Sequence, residues 1–141
     1  MRTRHYLVAS DVRILMQAAR ATAEQLGLEV SIALVDEGGI LLALERLDGA
    51  RLHTPEAAWL KARTAAIVRT PTATLEEQVH GNPALLSFPG RMPLAGGMPL
   101  LHAGSVVGGV GSSGGRPDED EKVCLAALTA LAGMAVSDLP A

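Results

Sequence analysis

Lys61 and Thr64 stand three residues apart in a stretch of helical spacing, so both project from one helix face. That face is otherwise apolar, and an ammonium group there must reach either a partner or an opening. Two readings follow. Lys61 can hold an anionic group at a pocket edge, or it can form a structural pair with a carboxylate such as Asp120. Two glycine runs offer a second kind of chemistry. Gly96-Gly97 and Gly111-Ser112-Ser113-Gly114-Gly115 lack a Cβ at most positions, so backbone amides can approach a ligand closely. The second run leads into a helix N-terminus, which favours carboxylates and phosphates. The competing reading is that these glycines serve unusual backbone angles or tight packing. No Gly-Lys-Ser/Thr follows either run, so neither is a Walker loop, and the order strand, G-x-G-x-x-G, helix, acid is absent too.

The histidines are His5, His53, His80 and His102, and no two have the spacing of a helical metal site. His53 precedes the Lys61 helix and His80 precedes the glycine-rich loop. A neutral imidazole at either place could act as a ligand or move a proton. A triad of Ser113 with a His and an Asp can be written, but no G-x-S-x-G elbow supports it. The single cysteine, Cys124, lies in an apolar helical pattern and reads as a small core residue. One thiol cannot form an internal disulfide, which fits a reducing compartment.

The elements that must position these residues follow from periodicity. Val12, Leu15, Met16, Ala19, Ala23 and Leu26 recur at steps of three and four, which predicts a helix with Ser10 as N-cap and Gly27 as its stop. Val30 to Asp36 and Ile40 to Arg46 read as strands, joined through Asp36-Glu37-Gly38-Gly39 as a hairpin. Thr54-Pro55 opens a second helix to about Val68, with Pro55 in its first turn. A shorter helix is expected from Ala73 to Val79. Gly81 to Gly97 reads as an ordered functional loop, because Leu85, Leu86, Phe88, Met92 and Leu94 would not suit a disordered linker. A second hairpin pairs Pro99 to His102 with Ser105 to Gly111. Pro117 starts a last helix whose acidic first turn suits the helix dipole, and Ala135 to Ala141 reads as a frayed tail. The order predicts an α/β (α+β) fold: a single, mainly antiparallel sheet of two hairpins, with room for one extra strand, flanked by helices.

Five motifs in this order resemble the GlcG/HbpS family. They are Val35-Asp36-Glu37-Gly38-Gly39 at the first turn and Lys61-Ala62-Arg63-Thr64-Ala65 on the helix. Pro89 to Pro99 follows as a P-G…P…G-G-x-P loop, then Val107 to Gly114 as a V-G-x-x-G-V-S-G strand end, then Glu119-Asp120-Glu121 at the last helix start. Ser112 and Glu119 depart from the family pattern. The family includes haem-binding proteins, an operon partner of glycolate oxidation and the C-terminal domain of the PduO corrinoid adenosyltransferases. The resemblance implies a profilin-like sandwich, residues 1–141 as one domain, and a homo-oligomer. It implies a small anionic or tetrapyrrole ligand, with haem as one cofactor to expect, whose iron His53 or His80 could then ligate.

Composition bounds the rest. Of 141 residues 48% are hydrophobic but only 2% aromatic, so the core must be aliphatic and no base-stacking surface is available. A net charge of −3 without a Lys/Arg cluster argues against nucleic acid as partner. Ser10, Asp11 and Arg13 interrupt the apolar run that a signal peptide would need, and no stretch has the roughly 18–20 apolar residues of a membrane helix. The reading is therefore a cytoplasmic protein without a membrane partner. The low charged fraction and positive mean hydropathy favour an oligomer. The expected ligand site gathers Lys61, Thr64, Gly96, Gly97, Ser113, Gly114, Asp120, His53 and His80, over an apolar floor of Leu60, Ile67 and Met98. Three functions fit: a small-molecule binding protein, an enzyme acting on a small carboxylate-bearing metabolite, or a structural oligomer.

Overall fold

The computed structural model describes residues 1–134, and the tail expected to fray lies outside them. The chain runs α1 (Ala9–Gln25), β1 (Ser31–Asp36), β2 (Leu41–Arg46), α2 (Thr54–Val68), α3 (Thr72–Gly81), a 3₁₀ turn (Pro83–Ser87), β3 (Gly97–His102), β4 (Ser105–Ser113) and α4 (Pro117–Ala132). Ser10 falls inside α1 rather than capping it. The N-cap position is Val8, and Asp11 in the first turn accepts the Val8 N–H at 2.9 Å. Gly27 does end the helix, with φ +67°. In the first hairpin Asp36 Oδ1 accepts the N–H groups of Gly38 and Ile40, both at 2.9 Å, which closes the turn.

The two hairpins join through β1 and β4 into one antiparallel sheet of order β2-β1-β4-β3. Among the described residues the sheet has four strands, and the extra strand allowed by the sequence is not one of them. Helices cover both faces. On one side α1 and α4 pack on the sheet, burying Leu15, Met16 and Ala19 with Val123, Cys124 and Ala127 against Ile32, Leu34 and Val110. On the other side α2 lays Ala58, Ala62 and Ala66 on Ala33 and Val35. This helix sits unusually close. A Cβ on Gly109 would fall on the Ala62 carbonyl, and one on Gly111 would fall on the Ala58 carbonyl. Alanines at every fourth position of α2, set against glycines at every second position of β4, let the two backbones touch.

Candidate functional site

Close approach of α2 carries Lys61 over the end of the sheet. Its Nζ donates to the Ser112 carbonyl at 3.0 Å and lies 3.5 Å from Asp120 Oδ2 on α4. Lys61 is 6% exposed and Asp120 2%. The pair thus links helices that cover opposite faces of the sheet. Gly96 makes room for it: at φ +115° a Cβ there would lie 2.9 Å from Lys61 Nζ and 2.8 Å from the Ser112 carbonyl oxygen. Asp120 takes two further hydrogen bonds at Oδ1, from Ser112 Oγ (3.2 Å) and the Gly115 N–H (3.1 Å). Burial pushes the Asp120 carboxyl above the ordinary aspartate value, against the pull of Lys61 and these donors. Cys124 is buried beside the pair and donates to the Gly96 carbonyl at 3.2 Å. Burial raises its thiol far above the usual range, so it is no nucleophile.

Above the pair opens a cleft of about 500 Å³. Arg51 and His53 stand on its lip, Ser113, Gly114 and Gly115 form one wall, and Leu94 and Ala95 form another. Lys61 and Asp120 reach it from below, and Glu29 and Glu76 add two more carboxylates. The structure therefore brings Lys61, Gly96, Ser113, Gly114, Asp120 and His53 together, with Gly97 just below. Thr64 and His80 stay apart. Thr64 is a clamp: its hydroxyl donates to the Leu60 carbonyl at 2.6 Å and accepts the Met92 N–H at 2.8 Å. His80 projects from the exposed side of α3, 3.4 Å from Glu77.

Two details of the expected pocket change. Three of the nearby amides are not free. Gly97 N–H donates to Thr72 Oγ1 at 2.8 Å, Gly115 N–H to Asp120, and Arg116 N–H to Glu119 Oε1 at 2.8 Å. The anion at the mouth of α4 is the protein's own carboxylate. The apolar floor is also elsewhere, since Met98 packs against the α1/α4 core and Ile67 lines a separate cavity. Arg51, Glu29 and Glu76 were not legible as site residues. They come from a turn, a strand approach and α3, and no local motif joins them. One clue existed in Asp48-Gly49, because Gly49 at φ +85° is what lets the Glu29 carboxylate lie against that turn.

Residues 7–129 match the family model described as haem degrading protein HbpS-like, and the chain belongs to that family. Protein GlcG of Escherichia coli (strain K12) is 38% identical over 117 residues, covering 80% of this chain and 85% of GlcG. A crystal structure of a double mutant of Streptomyces reticuli HbpS superposes with a TM-score of 0.85 at 33% identity, covering 92% of this chain and 89% of that one. A crystal structure titled as a PduOC:heme complex gives a TM-score of 0.82 at 30% identity, over 89% of this chain and 95% of that one. Both superpositions span the helix-flanked antiparallel sheet, the fold expected from the order of elements.

Proposed function

We propose that this member of the HbpS-like family is a small-molecule binding protein that takes haem in the cleft above Lys61 and Asp120, and that it works as a homo-oligomer in the cytoplasm. The observation that carries the reading is the exposed His53 imidazole on the lip of that cleft, which Arg51 also lines. The donor set suits the group. A neutral imidazole is a common axial ligand, a guanidinium pairs with a propionate, and the Gly114-Gly115 wall has no side chains to obstruct a flat ring. Bound haem would supply redox chemistry at its iron. The chain's own part would be to hold and orient: His53 at the metal, Arg51 at a propionate, and the Lys61–Asp120 pair as a rigid floor. Haem named in the descriptions of the matched family and of the PduOC complex supports this choice of ligand. Exposed Ile40, Leu52 and Leu86 support assembly.

Haem titration followed at the Soret band tests the reading. His53→Ala should shift the band or weaken binding, and His80→Ala should match the wild type. Absence of any Soret change in the wild type would sink the proposal. A second reading is favoured by the lining itself, which is polar and carries Glu29 and Glu76 beside Arg51. Such a cleft suits an enzyme acting on a small carboxylate-bearing metabolite, with Arg51 rather than the engaged Lys61 holding the anion and His53 moving a proton. In that case His53→Ala abolishes turnover with little change in substrate binding. Light scattering at micromolar concentration tests assembly, and a monomer mass would refute it.

A further inference from the structure

The segment from α3 to Leu94 is a flap fixed mainly at its ends. At one end Thr72 Oγ1 accepts the Gly97 N–H and donates to the Gly97 carbonyl at 3.2 Å. At the other, Met92 N–H is held by Thr64, and Ala95 N–H donates to Glu76 Oε1 at 3.2 Å. Between these ties no side chain from Ala73 to Leu94 is fully buried. Leu75 and Val79 of α3 instead face Ile67 and Val68 of α2 across an open-sided cavity of about 310 Å³, which Leu85 and Phe88 also line. An amphipathic helix normally buries its apolar stripe on a neighbour, and here the stripe stands over open space.

The polar groups at this cavity are selective. Arg91 and Gln78 line it with Thr64, and no carboxylate does. Arg91 makes only a 3.4 Å hydrogen bond to the Pro89 carbonyl and stands 5.6 Å from the Phe88 ring centre. Among the described residues no acidic side chain pairs with it. The cleft over Asp120 is the opposite, with three carboxylates in its lining. An apolar chamber with one uncommitted guanidinium and no acid complements an anion with an apolar body. The volume is at the small end of the range for ligand pockets, which favours a body smaller than a tetrapyrrole.

We infer that the cavity under the α3 flap is a second binding site, for a monocarboxylate with an aliphatic or aromatic body, whose carboxylate pairs with Arg91. The body fills the space between Ile67, Val68, Leu75 and Val79. The site is separate from the His53 cleft and does not depend on haem being that cleft's ligand.

Calorimetric titration of the full chain with sodium octanoate tests this, with octylamine as the charge-reversed probe. Octanoate should bind and octylamine should not. Arg91→Ala should weaken octanoate at least tenfold, and Arg91→Lys should restore part of the loss. Val79→Trp, which fills the chamber, should abolish binding while the far-ultraviolet circular dichroism stays native. Octanoate should also bind when haem is present. The inference is overturned if millimolar octanoate gives no heat, or if the amine binds as well as the acid. It is equally overturned if folded Arg91→Ala and Val79→Trp bind like the wild type, or if octanoate and haem displace one another. Failure of octanoate binding together with a lower oligomer mass for Val79→Trp would mean that a second copy of the chain covers this face.

Discussion

The two faces of the sheet are built on different principles. Toward α1 and α4 the sheet presents Ile32, Leu34 and Val110, and the gap to the helices is filled by branched side chains. Toward α2 it presents Ala33 and Val35 with Gly109 and Gly111, and the helix answers with Ala58, Ala62 and Ala66. The first face is held by side-chain volume and can absorb small changes of shape. The second is held by backbone contact at Gly109 and Gly111, where there is no side chain to shift. Only the second puts a helix near enough for Lys61 to reach over the sheet and meet Asp120. The site therefore depends on the face that has the smallest residues.

The largest effect should come from the pair that straddles both faces. Lys61→Met should destabilise the fold by about 3–5 kcal/mol, the usual result of leaving one partner of a buried pair alone. Urea denaturation would measure it. A change below about 1 kcal/mol would mean that Lys61 acts at a solvated pocket edge, as one reading of its spacing allowed. Adding Asp120→Leu to Lys61→Met should recover much of the loss, since both charges then leave together.

Substitutions on the faces themselves sharpen the contrast. Gly111→Ala adds one methyl group aimed at the Ala58 carbonyl and lies within 2.7 Å of the Ala62 nitrogen. It should cost about 3 kcal/mol, at the upper end for overpacking. Val110→Ala, one residue away on the other face, removes two methyl groups and should cost about 2 kcal/mol. A thermal melt of both variants decides the matter. If adding a methyl to the α2 face is milder than deleting two from the α1/α4 face, the backbone contact is softer than it looks. A smaller effect is expected at the flap. Thr64→Val removes the acceptor for Met92 N–H and should cost about 1 kcal/mol, with faster hydrogen exchange at Met92 as its signature.

Much of this arrangement was legible in the sequence. Four helices and two hairpins follow from periodicity and turn residues, and their ends move by only a few positions. Lys61 next to Asp120 was also readable as one of two alternatives, because an ammonium on an apolar face demands a partner. The glycine runs were ambiguous for a physical reason. A missing Cβ looks the same whether a ligand or another helix comes close, and at Gly109 and Gly111 the visitor is α2. Thr64 misled in a similar way. Its position beside Lys61 was right, but a threonine hydroxyl can hold a loop amide as readily as a ligand. Arg51, Glu29 and Glu76 could not be found, since only the fold brings them to one cleft.

The smallest effect concerns proton binding at the junction of the two faces. Burial raises the Asp120 carboxyl above its unfolded value. Between the unfolded value near 3.8 and the raised folded one, the native state therefore holds more proton than the unfolded chain. The contribution of Asp120 to stability is complete below that window and falls as pH rises through it. Asp120→Asn cannot titrate, so subtracting its stability from that of the wild type cancels the other carboxylates. The difference, wild type minus Asp120→Asn, should be larger at pH 4 than at pH 7, by about 1 kcal/mol for each unit of displacement. Denaturant midpoints at the two pH values measure it. The opposite slope would mean that Lys61 and the Ser112 and Gly115 donors outweigh burial. Asp120 would then be an ordinary salt-bridged carboxylate, and the junction would be electrostatically relaxed rather than held against its desolvation cost by the packing of α2.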